Sequence, residues 1–304
     1  MAIVTFRPDL TEGLIRLYNE DGAFCPFIAH LTPKLFERRI AAKPIFRPEG
    51  IFACIHEGKL AGVVFTTFAP NDDKSGFDFS TGLVDGLFFD ESRPATGGEL
   101  LSAALSHLKS RGAKRVIGWA TEGGYPFWRD LYCGSEPVMH VAARHVYEAL
   151  THAGFAKTQH SVALLARTSG APPKSRFEYE IRSRPAPRDN FWDGSSWYDL
   201  WPMMLEAEIE GVVAGRLGWC SLPATSRRRG VRTAGLYSLA VDSAFRRRGI
   251  ATALVEGCFE EAARDGAQEI LVATGIDNLP ALGVYKKFGF AEVFQMVGTR
   301  LERL

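Results

Sequence analysis

The stretch Leu239-Ala-Val-Asp-Ser-Ala-Phe-Arg246-Arg-Arg-Gly249-Ile-Ala251-Thr-Ala-Leu254 changes character at its middle. An apolar, strand-like run hands the chain to an Arg-rich turn, and a helical run begins at Ile250. Gly249 and Ala251 are small enough to leave the first helical amides uncovered, and the helix dipole adds partial positive charge there. A strand, a basic turn and an open helix N-terminus together make a cradle for a diphosphate.

Working outward, the same order of features occurs a second time in the chain. Ile51-Phe-Ala-Cys-Ile-His56, Glu57-Gly58 and Lys59 to Phe68 match Met204 to Ile209, Glu210-Gly211 and Val212 to Ser221, with Gly62 and Gly215 at equivalent places, 153 residues apart. Each set predicts a strand, a tight Glu-Gly turn and a second strand. Strands at Leu83 to Phe89 and Gly235 to Val241 follow, ending in Asp90 and Asp242, with Gly97 and Gly249 seven residues further on. Helices are then expected near Gly98 to Arg111 and Ile250 to Asp265, closed by Gly112 and Gly266, and strands at Lys114 to Ala120 and Gln268 to Thr274. Each half finishes with a short helix ending in Gly-Phe (Gly154-Phe155, Gly289-Phe290) and a last strand. Ser169-Gly-Ala-Pro-Pro-Lys-Ser175 has linker composition. The division expected is therefore 1–168, a linker at 169–175, and 176–304, consistent with 304 residues at roughly 150 per domain.

Composition narrows the function. Lys+Arg at 36 against Asp+Glu at 35 leaves a net charge of +1, which argues against nucleic acid or an anionic membrane surface as the partner. No apolar run reaches the roughly 18 residues of a membrane span, and the N-terminus has no signal-peptide pattern, so a cytoplasmic, soluble protein is expected. Five cysteines without a CxxC pair read as small buried hydrophobes in a reducing compartment. Cys133 with His140 and His145 is the nearest approach to a metal spacing, and no second cysteine pair or HExxH accompanies it, so no metal is expected. Walker, GxGxxG and GxSxG motifs are missing as well.

Two motifs carry a family resemblance. Arg246-Arg247-Arg248-Gly249-Ile250-Ala251, after a strand ending in Leu239-Ala240-Val241, resembles the Q/R-x-x-G-x-G/A motif of the GNAT superfamily of acyl-CoA-dependent N-acyltransferases. Asn278 followed by a helix with Tyr285 and Gly289-Phe290 resembles that family's second motif, and the strong part of the likeness covers residues 235 to 292. The resemblance implies an α/β fold of two tandem GNAT domains, each a mixed, mostly antiparallel sheet flanked by helices; mycothiol synthase shares that architecture. It also implies roles. Backbone groups of Leu239, Ala240 and Val241 would pair with the acyl-pantetheine arm. The amides from Arg247 through Gly249, Ile250 and Ala251 to Thr252 would hold the pyrophosphate, with Arg246, Arg247 and Arg248 adding positive charge. Asn278 would contact the cofactor arm and Tyr285 would lie near the sulfur. Acetyl-CoA is the implied co-substrate, and a small-molecule or peptide amine the implied acceptor. A non-catalytic acyl-CoA-binding or sensing protein is the alternative.

Acyl transfer to an amine needs a neutral nucleophile, hydrogen-bond donors for the developing oxyanion and a proton for the leaving thiolate. A tyrosine, protonated at neutral pH, can supply that proton, which suits Tyr285. The base stays unassigned. Ala234-Gly235-Leu236 offers no carboxylate where relatives often have a glutamate, and Glu206 and Glu208 read as a solvated strand face. Arg227-Arg228-Arg229-Gly230 reads as a solvated hairpin tip.

The first copy reads as degenerate. Pro94 stands in the place of Arg246, Glu99 in that of Ala251, Ala143 in that of Asn278 and Leu150 in that of Tyr285. Its insertion, Glu122 to Ser135, is aromatic and punctuated by Gly and Pro, and plugging a vestigial cofactor cleft is the preferred reading. In the second copy only about twenty residues separate a strand near Phe177 to Arg182 from Met204, and Asp193 to Trp201 is too short for two helices. Either the acceptor groove there is open or the first copy closes it.

Overall fold

The computed structural model describes residues 1–169, 174–175 and 179–304. Most of the expected linker, and the start of the strand expected near Phe177, lie outside the described residues. The first half runs β1 (Ala2–Thr5), α1 (Thr11–Asp21), α2 (Pro33–Phe36), β2 (Ile51–His56), β3 (Lys59–Pro70), β4 (Phe77–Phe89), α3 (Pro94–Ser110), β5 (Arg115–Gly118), β6 (Met139–His140), α4 (Arg144–His152) and β7 (Ala156–Arg167). The second runs β8 (Glu180–Pro185), α5 (Phe191–Trp197), β9 (Met203–Ile209), β10 (Val212–Ser221), α6 (Pro223–Arg229), β11 (Thr233–Val241), α7 (Ile250–Arg264), β12 (Glu269–Gly275), α8 (Leu279–Lys287) and β13 (Ala291–Leu301).

The echoed turns fold alike because they share one backbone demand. Glu57 and Gly58 have φ of 49° and 74°, Glu210 and Gly211 of 51° and 79°. Two successive positive φ values define the hairpin turn whose twist matches its strands. Gly62 and Gly215 each let a helix close on the sheet. A Cβ on Gly62 would meet Leu100 and Thr96 of α3 at 2.8 Å, and one on Gly215 would meet Ile250 of α7 at 2.9 Å. Behind those contacts α7 buries Ile250, Leu254, Val255, Cys258 and Ala262 against β9 to β12. Full burial of one such aliphatic side chain is worth about 1.5–3 kcal/mol, so packing holds this helix more than propensity does.

All strands but β6 form one path, β1-β2-β3-β4-β5-β13-β7-β12-β11-β10-β9-β8, with β6 paired to β13. Among the described residues only β4·β5 and β11·β12 are parallel. The two halves trade their last strands: β7 lies between β12 and β13, and β13 pairs with β5. Sequence order does not foretell this exchange, which joins the halves through backbone hydrogen bonds as well as side chains.

Candidate functional site

Both parallel pairs fork. β11 and β12 stay in register from Thr233/Glu269 to Leu236/Val272 and then part. Ser238, at φ 55°, makes a bulge opposite β10, after which Ala240 and Val241 pair with Arg216 and Gly215 on one side only. Ser238 and Ala240 are exposed, and Leu239 and Val241 half-buried, so this rim of β11 faces open space.

The turn beyond it is built to leave amides free. The Asp242 side chain accepts from the Ala244 amide at 2.8 Å, fixing the turn's entry. Arg247 at φ 65° and Gly249 at φ 85° then point successive amides inward. Among the described residues no acceptor pairs with the amides from Arg247 to Thr252. The Arg248 carbonyl accepts from the Tyr179 hydroxyl, and Arg246 Nε donates to the Val241 carbonyl at 3.3 Å. Arg246, Arg247 and Arg248 are exposed, Arg248 lying over the Phe245 ring, and among the described residues no carboxylate forms an ion pair with them.

Tyr285 is only 3% exposed, on the inner face of α8, with Phe290 5.3 Å away between ring centroids. Burial, and then the charge of Glu136, push its phenol up, so it stays protonated at neutral pH. Asn278 caps α8: its Oδ1 accepts from the Ala281 amide at 3.4 Å and its Nδ2 donates to Thr274 Oγ1 at 3.0 Å. Both ends of that side chain are thus engaged in holding α8 at the end of β12.

The corresponding fork of the first half is closed. β4 and β5 part after Val84/Gly118. There Trp128, fully buried, donates its indole N–H to the Asp85 carbonyl and packs against Phe65, Phe88 and Tyr18. Gly86 permits this approach, since a Cβ there would meet the indole nitrogen at 2.9 Å. The insertion therefore occupies the cleft. The turn is lost too, because α3 begins at Pro94 rather than near Gly98, winding into helix the residues that form the open turn of the second half. A cavity of about 760 Å³ beside it carries Glu20, Asp21, Glu57, Asp90 and Glu91.

The same insertion serves the second half. Asp130 accepts from the Ala224 and Thr225 amides at 2.9 and 3.0 Å, capping α6, and meets Arg39 at 3.4 Å. Arg129 lies 3.8 Å over the Trp197 ring, and Trp197 packs 4.6 Å from Tyr237. The Gly124 carbonyl accepts from the Trp192 indole at 3.1 Å. One short helix, α5, stands between β8 and β9, and the insertion of the first half packs against it.

Three expectations change. Arg227 to Arg229 end helix α6 instead of forming a hairpin tip, with Gly230 at φ 70° closing it. Arg229 is bound in both directions, to Glu269 at 2.7 and 2.9 Å and over the Phe27 ring. Glu206 is not a solvated face: Arg184 and Arg216 hold it at 3.0 and 2.8 Å, and they keep its carboxyl down at about 2, too acidic to serve as a base. Glu208 pairs with Arg182 at 3.1 Å. Sequence reasoning passed over Glu136 and Tyr237. Glu136 follows the insertion directly, and its only legible signal was adjacency to that unusual loop. All five cysteines are buried, and no helix among the described residues is long and apolar enough to cross a membrane.

Residues 173–290 match the family model described as Acetyltransferase (GNAT) family. An N-alpha-acetyltransferase of Sulfolobus acidocaldarius is 34% identical over 91 residues, which span 29% of this chain and 54% of that protein. A mycothiol acetyltransferase of Saccharomonospora viridis is 31% identical over 124 residues, 40% of this chain and 38% of that one. The chain thus spans about half or less of the length of these relatives. A tandem GNAT protein from the clavulanic acid biosynthesis pathway superposes with a TM-score of 0.65 at 12% identity, over 98% of this chain and 97% of that one. A GCN5-related N-acetyltransferase from Sphaerobacter thermophilus gives 0.67 at 14% identity, over 100% and 96%. The two halves, each a mixed sheet flanked by helices, have the tandem GNAT fold, and the second of them is similar in sequence to the GNAT acetyltransferase family.

Proposed function

We propose that the protein is an acyl-CoA-dependent N-acyltransferase that moves an acetyl group from acetyl-CoA to a primary amine, with the chemistry in the second half, 176–304. The observation that carries this reading is the run of acceptor-free amides from Arg247 to Thr252 beside the open rim of β11. Such a turn suits a pyrophosphate, because amides and a helix dipole satisfy anionic oxygens without a bound cation. Arg246 to Arg248 add charge, and the unpaired edge at Leu239 to Val241 offers backbone partners to an amide-containing arm. Tyr285 gives its phenolic proton to the departing thiolate. Asn278 acts by fixing α8, which carries Tyr285.

The first half, 1–168, keeps no donor site and walls the acceptor side. An odd number of buried thiols fits work in the cytoplasm. The depth of Tyr285 in the core also fits a non-catalytic acyl-CoA sensor. Free-CoA release separates the two readings, measured with acetyl-CoA and a panel of putrescine, glucosamine and a short peptide with a free N-terminus. Release with any of them supports the enzyme; acetyl-CoA binding without release across amines favours the sensor.

A further inference from the structure

The insertion of the first half reaches the fork of the second. Gly134 sits on β12, where a Cβ would meet Leu271 Cδ2 at 2.7 Å, and Ser135 sits on β11, with Oγ 2.9 Å from where a Cβ on Gly235 would lie. These contacts fall within the parallel register that ends at Leu236/Val272. Glu136 is the next residue, so the chain delivers a carboxylate to the point where β11 and β12 part. The groups that feel its charge come from every element around that point: Arg129 and Tyr125 of the insertion, Cys220 of β10, Tyr237 of β11 and Tyr285 of α8.

Two polar side chains there are left without a partner among the described residues. Glu136 is half-buried, and no hydrogen bond or ion pair ties its carboxylate to another described residue. The Tyr237 hydroxyl, in a residue 8% exposed, has no hydrogen-bond partner among the described residues. Buried polar atoms are ordinarily satisfied, and one left over beside a free carboxylate marks a place for a polar guest.

We propose that Glu136, supplied by the first half, receives the acceptor amine at the fork of the second half and takes its proton. The assignment rests on the acyltransferase reading. The ammonium form of the acceptor gives one proton to the Glu136 carboxylate and becomes a neutral amine. Its lone pair forms the C–N bond to the thioester carbonyl carbon and the C–S bond breaks. Tyr285 protonates the sulfur and regains a proton from the new amide nitrogen. Glu136, reached by solvent, returns its proton to water. Burial pushes the Glu136 carboxyl up to about 6, Arg129 pulling the other way, so the group is ionised yet basic enough at neutral pH.

The experiment uses the full chain, acetyl-CoA and whichever panel amine the wild type acetylates, with hydroxylamine as a nucleophile already neutral at pH 7. Glu136→Gln is expected to lower kcat/KM for the amine by about 100-fold or more while changing hydroxylamine turnover by less than about threefold. The acetyl-CoA thermal shift should persist in the variant. In the wild type kcat/KM should fall as pH drops through about 6, and that limb should vanish in Glu136→Gln. If the variant fails to fold, the wild-type profile decides: no limb near pH 6 overturns the assignment. Equal loss with amine and hydroxylamine, or an unaltered variant, overturns it while leaving the acyltransferase reading intact. A wild type that acetylates none of the panel overturns both.

Discussion

Trp128 fills the fork between β4 and β5, whereas the fork between β11 and β12 leaves Ser238 and Ala240 exposed. The two places derive from one backbone plan, down to a positive φ at Gly86 and at Ser238. In the first half that backbone angle admits an indole, and in the second it shapes a rim. The turn that follows differs as well. Pro94 draws its turn into α3, and Arg247 with Gly249 hold theirs open. A cleft in this fold is thus a default that an internal side chain can occupy, and the chain has used one cleft as a socket for a loop that also packs against the other half.

The largest expected effect concerns the open turn. Gly249→Glu should abolish stabilisation by acetyl-CoA, which for the wild type at 100 times Kd amounts to about 2.7 kcal/mol. Gly249→Asn, which tolerates the left-handed conformation, should keep most of it. If Asn abolished the shift as fully as Glu, backbone strain and not charge would explain the loss. Trp128→Ala should cost about 3–5 kcal/mol, read by denaturant titration. It should not produce a second acetyl-CoA site, because the turn at Pro94 stays wound into helix. Tyr285→Phe should lower kcat by about 100-fold with little change in KM, since its proton matters as the thiolate leaves. An unchanged kcat with chemistry rate-limiting would remove Tyr285 from the reaction.

Much of this contrast is legible in the sequence, because local rules write it. The Glu-Gly turns at 57–58 and 210–211 and the paired Gly62 and Gly215 each impose a local conformation or close contact wherever they occur. The loss of Arg, small residue, Asn and Tyr in the first half is read directly by alignment. Features set by distant partners are not legible. The exchange of β7 and β13 leaves no mark, since alternation of side chains fixes faces and not neighbours. Arg227 to Arg229 and Arg246 to Arg248 have the same composition, and only Glu269, forty residues on, distinguishes a clamped triplet from a free one. Glu136 gains meaning only when Gly134 and Ser135 dock on the other half.

A smaller effect sharpens the comparison from the sheet's far edge. Glu206 is held at about 2 by hydrogen bonds from Arg184 and then Arg216. A lowered carboxyl stabilises the fold above its unfolded value, and that contribution is lost as pH falls from the ordinary carboxylate range through about 2. Both arginines are about half exposed, at 47% and 55%, so Glu206→Gln should cost only about 1 kcal/mol at neutral pH. Acetyl-CoA binding should be unaffected, and a weakened affinity would mean that the edge strands shape the donor turn.

Glu99→Ala, at the exposed start of α3, should change neither stability nor binding measurably.

The account stands most directly on how many donor sites one chain carries. Calorimetric titration of the intact protein with acetyl-CoA is expected to give one site per chain, with the same stoichiometry in Trp128→Ala and Glu99→Ala. Two equivalent sites in the wild type would contradict the closed fork of the first half.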